Sequence, residues 1–140
     1  MESVKVRHYI QRGTDFLAGM RYIQNEEPYR NSTALLAIHA AISYADALRI
    51  GLGDEVLAND DHRKAVAKLQ RLLAAKGLDD RTGFQHLEFL ISNKSNVTYG
   101  NERLKSTISA LMALKAERFA TWANRLGKQL NIGGWQHDDQ

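Results

Sequence analysis

The sequence contains no cysteine. Disulfide frameworks, zinc–thiolate sites and cysteine nucleophiles are therefore excluded. Proline occurs once, at Pro28, so long helices are expected on either side of that single strong breaker. Strand signals are almost missing: there is no alternating β-branched run, and no Asn-Gly or Asp-Gly turn joins two such runs. No stretch approaches the ~20 apolar residues of a membrane span. The opening MESVKVRHYIQRG is charged where a secretory leader would be apolar. A cytoplasmic protein without membrane association is expected. Familiar catalytic and metal signatures are missing too. The Glu-x-x-His pairs of di-iron bundles, a His-Glu-x-x-His zinc motif, an EF-hand loop, a Walker loop and a Gly-x-Ser-x-Gly elbow do not occur. Neither a metal nor a cofactor is expected.

What is present is ordinary globular material. The chain has 140 residues, 44% of them hydrophobic and 25% charged. One domain of that length buries roughly two-thirds of its unfolded surface and needs no staple. The net charge of +3 permits nucleic-acid binding without demanding it.

Hydrophobic spacing predicts helices separated by short turns. The first runs from about Ser3 to Gln24, with Tyr9, Gly13, Phe16, Met20 and Ile23 at alternating spacings of four and three. The second runs from Asn31 or Ser32, both good N-caps, to Ile50. Its segment ALLAIHAAISYADAL is apolar nearly all round, which marks a central helix. A third runs from about Asp61 to Lys76, capped by Asp60 or Asp61 and stopped by Gly77. A fourth spans Phe84 to about Ser95, and the longest spans Glu102 to Leu130. The expected fold is all-α, an up-and-down antiparallel bundle of four to five helices. Residues 1–130 form the domain, and 131–140 are expected as a loose tail in which Trp135 has the means to dock.

Four groups of residues invite a functional reading. His39, Ser43 and Asp46 share one face of the second helix. They either line a groove or are satisfied locally, His39 and Ser43 by backbone carbonyls and Asp46 by an arginine. His62 opens the third helix in line with Val66, Leu69 and Leu73. It either contacts a ligand or closes the end of the core, and the helix dipole there favours its neutral form. Lys94 sits three residues after Ile91, beside an apolar stripe. Either its stem covers that surface, or its ammonium enters a groove built for an anion, with Tyr99 adding a hydroxyl and a stacking face. Lys64, Lys68 and Arg71, and in the last helix Lys115 and Arg118, form basic stripes. These suit phosphate binding or a solvated helix face.

The order of these features resembles the HEPN superfamily of helical bundles. The resemblance rests on Tyr44-Ala45-Asp46-Ala47-Leu48 ending the Ala-rich helix, and on Asp61-His62-x-x-Ala65-Val66-x-x-Leu69. The polar segment from Lys94 to Tyr99 and the long last helix complete it. Together these features span about Ala34 to Leu130. The resemblance implies a homodimer that binds RNA or a nucleotide, or that partners a nucleotidyltransferase, often in toxin–antitoxin or defence pairs. Many such proteins are metal-independent ribonucleases with an Arg-x4-6-His motif. Here Lys94 stands where the arginine is expected and Tyr99 where the histidine is expected. Lysine keeps the charge but not the bidentate fork, and tyrosine, with an unperturbed pKa near ~10, is a poor general base at neutral pH. A non-catalytic HEPN-like binding module is therefore expected. The alternative is a metal-independent ribonuclease with atypical residues.

Overall fold

A computed structural model describes residues 2–57 and 61–135. Every regular element is helical: α1 (Glu2–Ile23), α2 (Arg30–Gly51), α3 (His62–Ala75), α4 (Thr82–Ser92), α5 (Lys94–Tyr99) and α6 (Ser106–Gln129). Five of these are substantial and α5 is a short added turn, so the chain is an all-α helical bundle, as its spacing predicts.

The centre is α2. Ala34, Ala37, Ala40 and Ala47 have no exposed surface, and the small side chains let neighbours approach closely. Gly13 of α1 sits against the Tyr44 ring and the Ala40 carbonyl, while Gly19 lies by Leu36. Positions rise along one helix as they fall along the other, so α1 and α2 are antiparallel. On another flank α6 runs in the same direction as α2. Ser109 Oγ donates to the Arg30 carbonyl at one end, and Ile132 covers Gly51 at the other. The excursion through α3, α4 and α5 makes this parallel pairing possible, because it carries the chain back to the end where α2 began.

By length and composition the helical stretch Glu27–Gly51 would qualify as a membrane span, against the expectation that no stretch comes close. Within the fold, 72% of its apolar window is buried, which is the environment of a core helix.

Three boundaries differ from the sequence reading. The second helix starts at Arg30, after a 3-10 turn at Glu27–Tyr29 that Pro28 initiates. Asn31 is not its cap, because its side-chain amide donates to the Val97 carbonyl at 3.0 Å. The fourth helix stops at Ser92 because Ser92 Oγ and Asn93 Nδ2 both take the Phe89 carbonyl, at 2.9 and 2.8 Å. Such side chains compete with the helical ladder. The last helix begins at Ser106 and not Glu102, since Leu104 turns inward and is buried, and Arg30 Nη1 holds its carbonyl at 3.0 Å. The third helix is capped as expected: the Asp61 carboxylate accepts the Arg63 N–H at 2.9 Å. The alternative cap, Asp60, lies outside the described residues.

Chain beyond α6 continues to pack. Asn131 takes a left-handed conformation, φ 54°, which turns Ile132 and Trp135 back onto the bundle, where both are buried. The Trp135 indole lies over Gly127, and its Nε1–H donates to Asn124 Oδ1 at 2.9 Å. Residues 131–135 of the expected loose tail are therefore packed on the bundle, and 136–140 lie outside the described residues.

A candidate cationic site where α2, α3 and α5 meet

Of the three polar residues singled out on α2, two are satisfied locally. Ser43 is buried and donates to the His39 carbonyl at 2.8 Å, an i−4 bond that removes it from any groove. Asp46 faces Arg49, 3.5 Å away. Arg49 is itself almost wholly buried. It donates through Nε to Asp54 Oδ2 at 2.8 Å and through Nη2 to the Glu55 carbonyl at 3.2 Å. This knot fastens the segment after α2 to the helix. Desolvation pushes the Asp54 carboxyl up, but the bonds to Arg49, to the Glu55 N–H and to Lys68 outweigh it and hold the group below its ordinary value.

His39 is different. It is half-buried with its ring 5.7 Å from Phe16. Burial pulls its pKa below the usual histidine value, and the positive charges of Lys94 and His62 pull it further down. Lys94 opens α5 and His62 opens α3. Lys94 and His62, on two other helices, thus add to burial in holding His39 towards its neutral form.

His62 also borders a crevice of about 10 Å³ shared with Asp46, Ile42 and Ala65. That is room for at most one water, so this corner is packed. Val66 and Ile91 form its outer wall and continue into a groove of about 360 Å³ between α3 and α4. Ala67 adds to the apolar floor, and Arg63, Gln70, Glu88 and Ser92 form the rim.

Tyr99 does not join the cluster. It is 81% exposed, and five residues from Lys94 it lies roughly 140° round a helix. The basic residues also separate. Lys64 and Arg71 are exposed on α3, and Lys68 pairs with Asp54 at 3.3 Å. On α6 the Lys115 ammonium lies 5.7 Å from the Phe89 ring and Arg118 is exposed. Helix α4 packs against both α3 and α6, so these residues form two patches and not one stripe. Of the groove-rim residues, Arg63 belongs to the basic face expected of the third helix, whereas Gln70 was not singled out; its only signal is a spacing of four from Val66, which any amphipathic helix shows.

Among the described residues no three His, Asp or Glu side chains gather as a metal ion would need. What the three groups offer instead is positive charge, from Lys94 and His62, acting on His39. No protein-family model matches the sequence, and no curated protein aligns with it significantly.

Proposed function

We propose that the chain is a cytoplasmic, non-catalytic binding module of HEPN-like type that holds a phosphate group of RNA or of a nucleotide where α2, α3 and α5 meet. One observation carries this reading: the partly desolvated His39 lies within the field of both Lys94 and His62. Like charges brought together away from water are unfavourable in the empty protein. A phosphate among them reverses that sign, and the apolar floor of the adjacent groove suits the sugar or base attached to it. The reading includes the homodimer and the nucleotidyltransferase partner that the resemblance implies, and sedimentation of the chain alone and of the mixed pair tests both.

The experiment is retardation of labelled cellular RNA in the presence of EDTA, at low and moderate salt. Retardation without cleavage is expected, weakened in Lys94→Ala. Loss of one single-strand phosphate contact lowers the slope of log affinity against log salt by roughly 0.7. Equal retardation by Lys94→Ala, with an unchanged melting temperature, contradicts the site.

A second reading has its own support. An imidazole held towards its neutral form has the protonation state of a general base at neutral pH. His39 in that role would make the chain a metal-independent ribonuclease. Cleavage in EDTA that disappears in both His39→Gln and Lys94→Ala favours this reading over the first.

A further inference from the structure

A second groove, of about 560 Å³, opens between α4 and α6, built from residues that do not belong to the cluster above. The two carboxylates beside it are already engaged. Arg125 donates to Asp80 at 2.9 Å, and Arg21 grips Glu117 through two bonds of 2.7 and 2.6 Å. Arg118 also lines the groove. It is exposed and, among the described residues, has no carboxylate partner. Lys115, three residues earlier, lies over the face of Phe89 and likewise has no carboxylate partner among the described residues. Positive charge is thus left over after the ion pairs are counted.

His86 forms part of the groove wall and is only 9% exposed. Its Nδ1 is fully enclosed and has no hydrogen-bond partner. The ring's remaining accessible surface leaves Nε2 as the nitrogen open to the groove. Burying an N–H without an acceptor is expensive, so the single proton of the neutral imidazole belongs on Nε2, where it is available as a donor. Burial, helped by the charges of Lys115 and Arg118, holds the ring towards that neutral form.

We propose that the α4–α6 groove binds a phosphorylated small molecule, its phosphate held between the Arg118 guanidinium and His86 Nε2–H. The planar fork of arginine matches two phosphate oxygens at once. A doubly charged phosphate balances both Arg118 and Lys115, which a carboxylate does not. Thr82 and Thr121 line the same groove. Thr121 already donates to the Glu117 carbonyl at 3.0 Å, so it is left to accept from the ligand. The groove falls within the range of roughly 300–1,000 Å³ typical of small-molecule sites, which leaves space for a group of nucleoside size beyond the phosphate.

The test is NMR of the intact protein with isotope-labelled histidine, titrated in parallel with inorganic phosphate and with acetate. Phosphate is expected to move the His86 ring signals along a saturable curve. Arg118→Gln, at an exposed position, should weaken that binding about tenfold, the effect of losing a charge-assisted contact. Lys94→Ala should leave it unchanged, which separates this site from the α2–α3–α5 cluster. The proposal is overturned by His86 signals that do not respond to phosphate, by wild-type affinity in Arg118→Gln, or by acetate binding as tightly as phosphate.

Discussion

The two long faces of α2 are built on opposite principles. Towards α1 and α6 the helix presents Ala37, Ala40, Ala47 and Tyr44, and glycines of the partner helix let the backbones close in. Towards α3 and α4 it presents Ile42, Asp46 and Arg49, and His39, three residues before Ile42, extends that stripe to the edge where it meets Phe16 of α1. The first face gains stability chiefly from contact area, with a hydrogen bond between Thr14 Oγ1 and Tyr44 Oη at 3.0 Å. The second puts polar groups out of water and must satisfy each of them. Arg49 and Asp46 are satisfied within the protein, whereas His39 instead feels the repulsive charges of Lys94 and His62. A fold can thus carry its rigidity on one side of a helix and keep electrostatic tension on the other.

Breaking the Arg49 knot should have the largest effect. Arg49→Met takes the buried guanidinium away from Asp46 and Asp54, leaving Asp54 its more exposed contact with Lys68, and loss of one partner from a buried pair costs about 3–5 kcal/mol. Urea denaturation at neutral pH measures it. The same knot makes stability depend on pH. Because the Asp54 carboxyl is held below its ordinary value, its contribution is full above the unfolded carboxylate pKa and is lost as pH falls through the lower folded value. An acid limb present in the wild type and reduced in Asp54→Asn is the expected outcome.

The packed side can be challenged next. A Cβ at Gly83 would fall inside the Trp122 indole, and Trp122 is buried. Gly83→Ala should lose about 1–3 kcal/mol through overpacking, read as a lowered melting temperature. A smaller effect sharpens the description of the polar side. Burial is the leading cause of the depressed His39 pKa and Lys94 a secondary one. In Lys94→Met the His39 midpoint should therefore rise by NMR, yet stay below the free-histidine value. Full recovery would mean that charge and not burial dominates there. The sign for stability follows. A histidine depressed in the fold destabilises the protein as pH drops from the unfolded histidine pKa to the folded one, and His39→Gln should flatten that decline. Smallest of all is Tyr99→Ala. At 81% exposure it should stay within about 0.5 kcal/mol of wild type in stability.

Much of the packed side is legible in the sequence. Alanine density identifies α2 as the central helix, Asp61 and Gly77 mark the ends of α3, and Gly53 and Gly77 take the positive φ that follows a helix end. The local satisfaction of Ser43 and Asp46 is legible too, because their partners lie three and four residues away. Misplaced boundaries share a cause in side chains with distant or competing partners. Asn31 reaches Val97, 66 residues on, and Asn93 takes a carbonyl that a continuous helix would have used. Tyr99 reads as a neighbour of Lys94 in the linear motif, but five residues of helix within α5 turn it away. Least legible is the meeting of His39, His62 and Lys94. It depends on how three helices cross, and no residue spacing encodes that crossing.

The most direct test of that meeting is the titration midpoint of His39 with and without a short oligoribonucleotide. A phosphate seated between His39, His62 and Lys94 must stabilise the imidazolium, so the midpoint should rise when RNA is bound, and the rise should be lost in Lys94→Ala. Bound RNA that leaves the His39 midpoint where it stands in the free protein would contradict the site.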